Sequence, residues 1–151
     1  MASITCTRRI QFCAGHRVYG HENKCSNVHG HNYVLFATAR SELTDSELDS
    51  IGRVIDFSVL KEKLGGWIDK FWDHGFIYYK EDKEMEKSLQ GVRNSCNAET
   101  KKYMMHENPT AENMAWHLID RICPELFKDT GVYICDIQLW ETENCYAEVT
   151  R

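Results

Sequence analysis

The stretch Lys24-Cys-Ser-Asn-Val-His-Gly-His-Asn-Tyr33 sets a thiol four residues ahead of one imidazole, with a second imidazole two residues further on. If this segment enters a strand near Asn32, His29 and His31 project from the same face, close enough to share one metal ion. His16 follows an N-terminal strand. In an antiparallel hairpin the end of the first strand lies beside the start of the second, so the three imidazoles converge. Three histidines leave one position of a tetrahedral zinc open, which is the catalytic pattern and suits Lewis-acid chemistry on oxygen. The same HGH could also be a turn with two surface imidazoles. His21 could compete as a ligand, although no strand fixes it; His106 and His117 are expected in solvent or on a helix surface.

Cys25 admits two roles. As a fourth ligand it would close the site and make it structural, whereas an uncoordinated thiol beside a metal could act as base or nucleophile. Asp73 and His74 close a helix, where a carboxylate beside an imidazole can poise it as a general acid or base; adjacent residues on a helix rarely face each other, so a dipole-favoured helix end is the alternative. Glu141 shares parity with Leu139 and so faces inward or ends its strand at the surface. An inward carboxylate needs donors, and a guanidine-like ring edge would offer two parallel N–H groups.

The elements that must hold these residues follow from periodicity. Ile4, Cys6, Ile10 and Phe12 alternate over residues 3–13, and residues 32–40 form a second strand after a polar loop. Asp56 or Ser58 can cap a helix whose stripe is Phe57, Leu60, Leu64, Trp67, Ile68 and Phe71. Residues 80–107 are charged, without lasting periodicity, and are expected to be an exposed excursion. Thr110 can cap a helix with Glu112 in its first turn and Met114, Ala115, Leu118 and Ile122 buried, which Pro124 should stop. Tyr133, Cys135, Ile137 and Leu139 then alternate, and 145–150 is a last strand. The order β-β-α-α-β-β predicts an α+β domain, an antiparallel sheet covered by two helices on one face.

At 151 residues one domain is expected. A net charge of −5 argues against a nucleic-acid surface, although Arg8, Arg9, Arg17 and Lys24 form a local basic set that could meet a small anion. No run approaches the roughly 18–20 apolar residues of a membrane span, and the N-terminus lacks the apolar centre of a signal peptide, so a cytoplasmic protein without membrane partners is expected. Seven irregularly spaced cysteines are expected as free thiols, mostly buried.

FCAGHR, KCSNVHGHNY, VIDFSVLK, WDHGF, NPTAEN and WETENC, in this order, resemble the 6-pyruvoyltetrahydropterin synthase and 6-carboxytetrahydropterin synthase family over nearly the whole chain apart from 80–107. The resemblance implies the tunnelling fold, whose ββααββ units trimerise into a barrel and stack as a homohexamer. It further implies Zn2+ on His16, His29 and His31, Cys25 as the proton-abstracting thiolate, and Asp73 with His74 as its relay. Glu141 would anchor the pterin, with Thr110 and Glu112 beside it, at a site between subunits. The implied substrate is 7,8-dihydroneopterin triphosphate. The three-residue spacer between Cys25 and HGH resembles the bacterial carboxy branch of queuosine synthesis; animal pyruvoyl enzymes typically carry a longer one. Trp72, Cys13 and Gly15 depart from the usual residues at their positions.

Overall fold

The computed structural model describes residues 2–151. Strands β1 (Cys6–His16) and β2 (His29–Ser41) form the expected antiparallel hairpin, with His16 opposite His29. β2 pairs antiparallel with β5 (Val132–Thr142), and β5 with β6 (Cys145–Thr150). Two further strands extend the sheet beyond the four expected. β3 (Gly75–Tyr79) runs parallel to the end of β1, and β4 (Lys102–Met105) runs parallel to β3, giving the order β4-β3-β1-β2-β5-β6. Their sequences, GFIYY and KYMM, are too short to show alternation, and Ile77 and Tyr78 are both buried as consecutive residues, which hides the two-residue period.

The first helical region consists of α1 (Phe57–Leu60), a π-type turn (Lys61–Gly65) and α2 (Gly66–Phe71). Asp56 caps it, accepting from the Ser58 N–H at 2.8 Å. Leu60, Leu64, Ile68 and Trp72 pack with Met114 and Ala115 of the second helical region against Phe12 and Ala14 of β1 and Tyr33, Leu35 and Ala37 of β2, so the helices cover one face of the sheet. Phe57, expected in this stripe, is exposed. The second region joins α4 (Ala111–His117), a π-type turn (Leu118–Ile122) and α5 (Cys123–Phe127). Pro124 therefore opens α5 instead of stopping the helix. The slipped hydrogen-bond register of the π-type turn falls just ahead of the proline, where a missing N–H is tolerated.

The 80–107 segment is not a bare excursion. It contains α3 (Lys83–Gln90) and β4, and it buries Asp82, Met85, Leu89 and Met105. Asp82 caps α3, accepting from the Met85 N–H at 3.1 Å, and receives Nε and Nη2 of Arg17 at 2.6 Å each. Arg17, one of the basic residues that could have met an anion, is thus already neutralised; Glu84 adds a second carboxylate at 3.0 Å. The Arg17 side chain is largely buried and Asp82 almost wholly so. Arg17→Met should therefore leave a buried carboxylate unpaired and cost about 2–3 kcal/mol, discounted for the partial exposure of the guanidinium. Faster amide exchange in α3 than in β2 would report the loss locally. The arginine holds the Asp82 carboxyl below its ordinary range.

Two other expectations change. His117 is buried, not on a helix surface: its Nε2 shares a 2.8 Å hydrogen bond with the hydroxyl of Tyr103, a residue of the unforeseen β4. Of the cysteines, Cys123 and Cys135 are buried while Cys13, Cys96 and Cys145 are exposed, and all seven are free. No helix among the described residues is long and apolar enough to cross a membrane.

Candidate active site

His16 ends β1 and His29 and His31 begin β2, on the same parities as the core residues Phe12, Ala14, Tyr33 and Leu35. The rings therefore stand at the end of the core-facing rows, with centroids 4.6, 5.0 and 5.1 Å apart. One ligand atom from each lies within 4.8 Å of the other two. Gly30 permits this: a Cβ there would sit 2.9 Å from the Ala14 carbonyl oxygen, so the strands could not approach with a side chain between the histidines.

Backbone carbonyls fix two tautomers. His16 Nδ1 donates to Pro109 O and His29 Nδ1 to Asn27 O, each at 2.7 Å. Both Nε2 atoms are consequently bare lone pairs, and they lie 3.1 Å apart. Two lone pairs this close repel unless a cation lies against them, and the buried Nε2 of His31 has no hydrogen-bond partner. The donor set fits a metal ion, with the carbonyls acting as outer-shell supports. Burial lowers the His16 pKa to about 4; the Pro109 carbonyl opposes this and the neighbouring His29 and His31 reinforce it. Burial and His29 lower that of His31 as well. Neutral imidazole, the ligand form, is thus favoured at neutral pH.

A pH effect follows for the metal-free protein. With the folded-state pKa of His16 at about 4 and the unfolded value near 6.5, the unfolded chain binds more protons between those values, so stability rises with pH across the window. Melting of chelator-treated protein should lose up to roughly 3 kcal/mol from pH 6.5 to 4. Replacement of His16 by Asn should flatten that dependence.

Cys25 sits on a short 3-10 turn (Lys24–Ser26) in the β1–β2 connection, with its carbonyl accepting from Val18 N–H at 2.8 Å. Its sulfur is outside the metal-capable group. It lines a cavity of about 290 Å³ together with His16, Thr110, Glu112 and Glu141. Thr110 caps α4, accepting from Asn113 N–H at 3.2 Å. Glu141 comes within 3.8 Å of His31 Nε2, and its pKa is raised, first by burial and then by the Glu112 carboxylate, with His29 opposing. The inward reading of Glu141 holds. It is the extra residue at a register shift between Trp140 and Thr142, a β-bulge that re-aims one side chain.

Asp73 and His74 do face each other, because they lie past the end of α2. Asp73 Oδ2 is 2.9 Å from His74 Nδ1, and Asp73 Oδ1 accepts from the Cys13 N–H at 2.9 Å. Burial raises the Asp73 pKa, but the Cys13 N–H and His74 outweigh it and the net direction is downward. His74 takes φ +57°, a conformation costing a non-glycine residue roughly 1–3 kcal/mol unless its surroundings impose it. Its N–H donates to Cys13 O at 2.7 Å. His74 lines a different opening, of about 500 Å³, with His29, His31 and the outward-parity residues Cys13 and Asn32. One chain thus gathers Cys25, Glu141, Thr110 and Glu112 with His16 at one cavity and His74 with His29 and His31 at another, the histidine triad standing between the two. The supports missed from sequence are carbonyls of Pro109 and Asn27, which no side-chain pattern advertises.

The site sets a strand-end histidine triad near a free thiol and a partly buried carboxylate, and the fold together with the motif resemblance puts the chain in the tetrahydropterin-synthase class. Residues 5–151 match the 6-pyruvoyl tetrahydropterin synthase family, and the chain belongs to it. The 6-carboxy-5,6,7,8-tetrahydropterin synthase of Rickettsia typhi is 44% identical over 146 residues, 97% of this chain and 99% of that protein. The fold is that of an uncharacterized protein from Wolinella succinogenes, with a TM-score of 0.78 at 20% identity over 100% of this chain and 99% of that one. The 6-pyruvoyl tetrahydropterin synthase of Caenorhabditis elegans also shares it, at a TM-score of 0.64 and 21% identity over 100% and 97% of the two chains.

Proposed function

We propose that this protein is a zinc-dependent lyase that converts 7,8-dihydroneopterin triphosphate into 6-carboxy-5,6,7,8-tetrahydropterin, acetaldehyde and triphosphate, in queuosine (7-deazaguanine) synthesis. The observation that carries the reading is a compact bare-nitrogen histidine triad that reaches, through His16, a cavity also lined by an unligated thiol and a partly buried carboxylate. The name of the Rickettsia relative and the three-residue spacer favour the carboxy product over the pyruvoyl one.

Zinc held by His16, His29 and His31 would supply Lewis acidity toward the substrate's side-chain hydroxyls. Glu141 accepts the two parallel N–H groups of the pterin's guanidine-like edge; its desolvated carboxylate lacks other donors and gains most from such a pair. Thr110 and Glu112 flank the ring at the start of α4. A cavity of about 290 Å³ fits a pterin bicycle and leaves the triphosphate to project outward. Cys25 takes the carbon-bound proton. Asp73 accepts the Nδ1–H of His74, which leaves Nε2 to carry a second proton.

His74 and Cys25 line different cavities of one chain, which supports an active site completed between subunits, His74 of one serving Cys25 of the partner subunit. Strand β6 and the first half of β1 are open edges that pairing in a homohexamer, a dimer of trimers, would cover. Free thiols throughout suit the reducing cytoplasm. The test is incubation of zinc-loaded protein with dihydroneopterin triphosphate and mass spectrometry of the product. A 6-carboxy pterin with acetaldehyde is expected; a 6-pyruvoyl pterin would move the protein to the other branch, and untouched substrate would end the reading.

A further inference from the structure

We infer that Lys101, the residue just ahead of β4, is a positioning residue for the Asp73–His74 pair. The inference rests on the proposed role of that pair as the proton relay. Helix α2 ends at Phe71 and leaves its last carbonyls without intrahelical partners. The ammonium of Lys101 donates to two carbonyls of this helix end and the turn after it, Asp69 O at 2.8 Å and Asp73 O at 2.7 Å. A cation is also favoured here by the helix dipole. One donor group thus bridges the last turn of α2 to the residue that carries the relay carboxylate.

The lysine is itself fixed at both ends. Its backbone carbonyl accepts from Phe76 N–H at 3.0 Å, at the point where β4 comes alongside β3. Its aliphatic stem lies against Gly75: a Cβ there would be 3.0 Å from Lys101 Cγ and 3.2 Å from Trp72 O. Between these anchors lies His74, at positive φ, with its N–H on Cys13 O. The turn from Trp72 to Gly75 is therefore gripped from β1 on one side and from Lys101 on the other. The lysine makes no hydrogen bond to the ring or carboxylate of the pair; it holds the backbone between them, and its charge adds a smaller share to the lowering of the Asp73 carboxyl pKa.

Lys101→Met keeps the stem that packs on Gly75 and removes both donated hydrogen bonds, while Lys101→Arg keeps a cation and donors. In the zinc-loaded protein the methionine variant should lose roughly tenfold or more in kcat, a size consistent with a small misplacement of a catalytic group, with KM and metal content unchanged. The arginine variant should restore most of it. The His74 ring signals of isotopically labelled protein, identified by their absence in His74→Asn, should shift or broaden in Lys101→Met alone. Lys102→Met, whose ammonium pairs with Glu99 at 3.7 Å, serves as the neighbouring control and should match the wild type. Wild-type kcat together with unmoved His74 signals in Lys101→Met would overturn the inference, as would loss of metal or melting temperature in both Lys101 variants. A wild-type protein without turnover would sink the proposed function, and the His74 signals would still decide the role of Lys101.

Discussion

Replacing Cys25 by alanine is expected to lower turnover by roughly 10²- to 10⁴-fold, the contribution of a well-placed proton-transfer group, while bound metal and melting temperature stay at wild-type values. The reason is spatial. The three histidine nitrogens form a compact set, and the sulfur lies outside it while lining a cavity that the set reaches through His16. Its turn is held by backbone bonds, Val18 N–H to Cys25 O and Asn27 N–H to Lys24 O, so truncating the side chain leaves the β1–β2 connection intact. Metal analysis, thermal melts and steady-state kinetics on one preparation check this. If zinc and stability fell together with activity, the thiol would be a structural ligand and the site closed, as in a non-catalytic binding module.

His29→Ala should do the opposite: metal content near zero per chain, turnover at background, and a folded protein. His29 supplies one of two Nε2 lone pairs 3.1 Å apart, and its tautomer is set by Asn27 O, so its removal deletes a ligand already oriented for the ion. The ring is half-buried at a strand end and sits outside the hydrophobic cluster, which limits the cost to the fold. His21→Ala is the matched comparison. His21 Nδ1 accepts from the Asn23 N–H at 2.9 Å, so it is engaged within its own loop and its loss should leave metal content unchanged. Retention of full metal by His29→Ala would show that the ion binds elsewhere.

The hairpin and its three histidines were legible because they obey a rule of period two: β1 and β2 keep strict parity from core to site. The Asp56 and Thr110 caps were legible for the same reason, a local rule satisfied locally. What escaped was set by distant partners. Strands β3 and β4 exist because Gly75–Ile77 and Lys102–Met105 find neighbours across the sheet, and His117 is buried because Tyr103 on β4 supplies its hydrogen bond. The Asp73–His74 contact depends on a left-handed residue after the helix, for which the sequence offers no glycine as a signal. Asp82 looked like one more charge in a charged stretch, yet it is buried by Arg17, 65 residues away.

Strand β5 departs from period two at Cys135 as well as at Glu141. Opposite the Thr38/Ala39 step Cys135 is the extra residue, so Val132 and Ile134 face the core before it and Ile137 and Leu139 after it, where uniform alternation had assigned Tyr133. The strand is therefore a length-coded ruler. Removing one residue between these two irregularities would turn Ile137 and Leu139 outward or swing the carboxylate of Glu141 away from the histidines. Chimeras and trimmed variants of this enzyme should be cut in the hairpin turn at Glu143 and Asn144, where a change in length leaves the ruler unaltered.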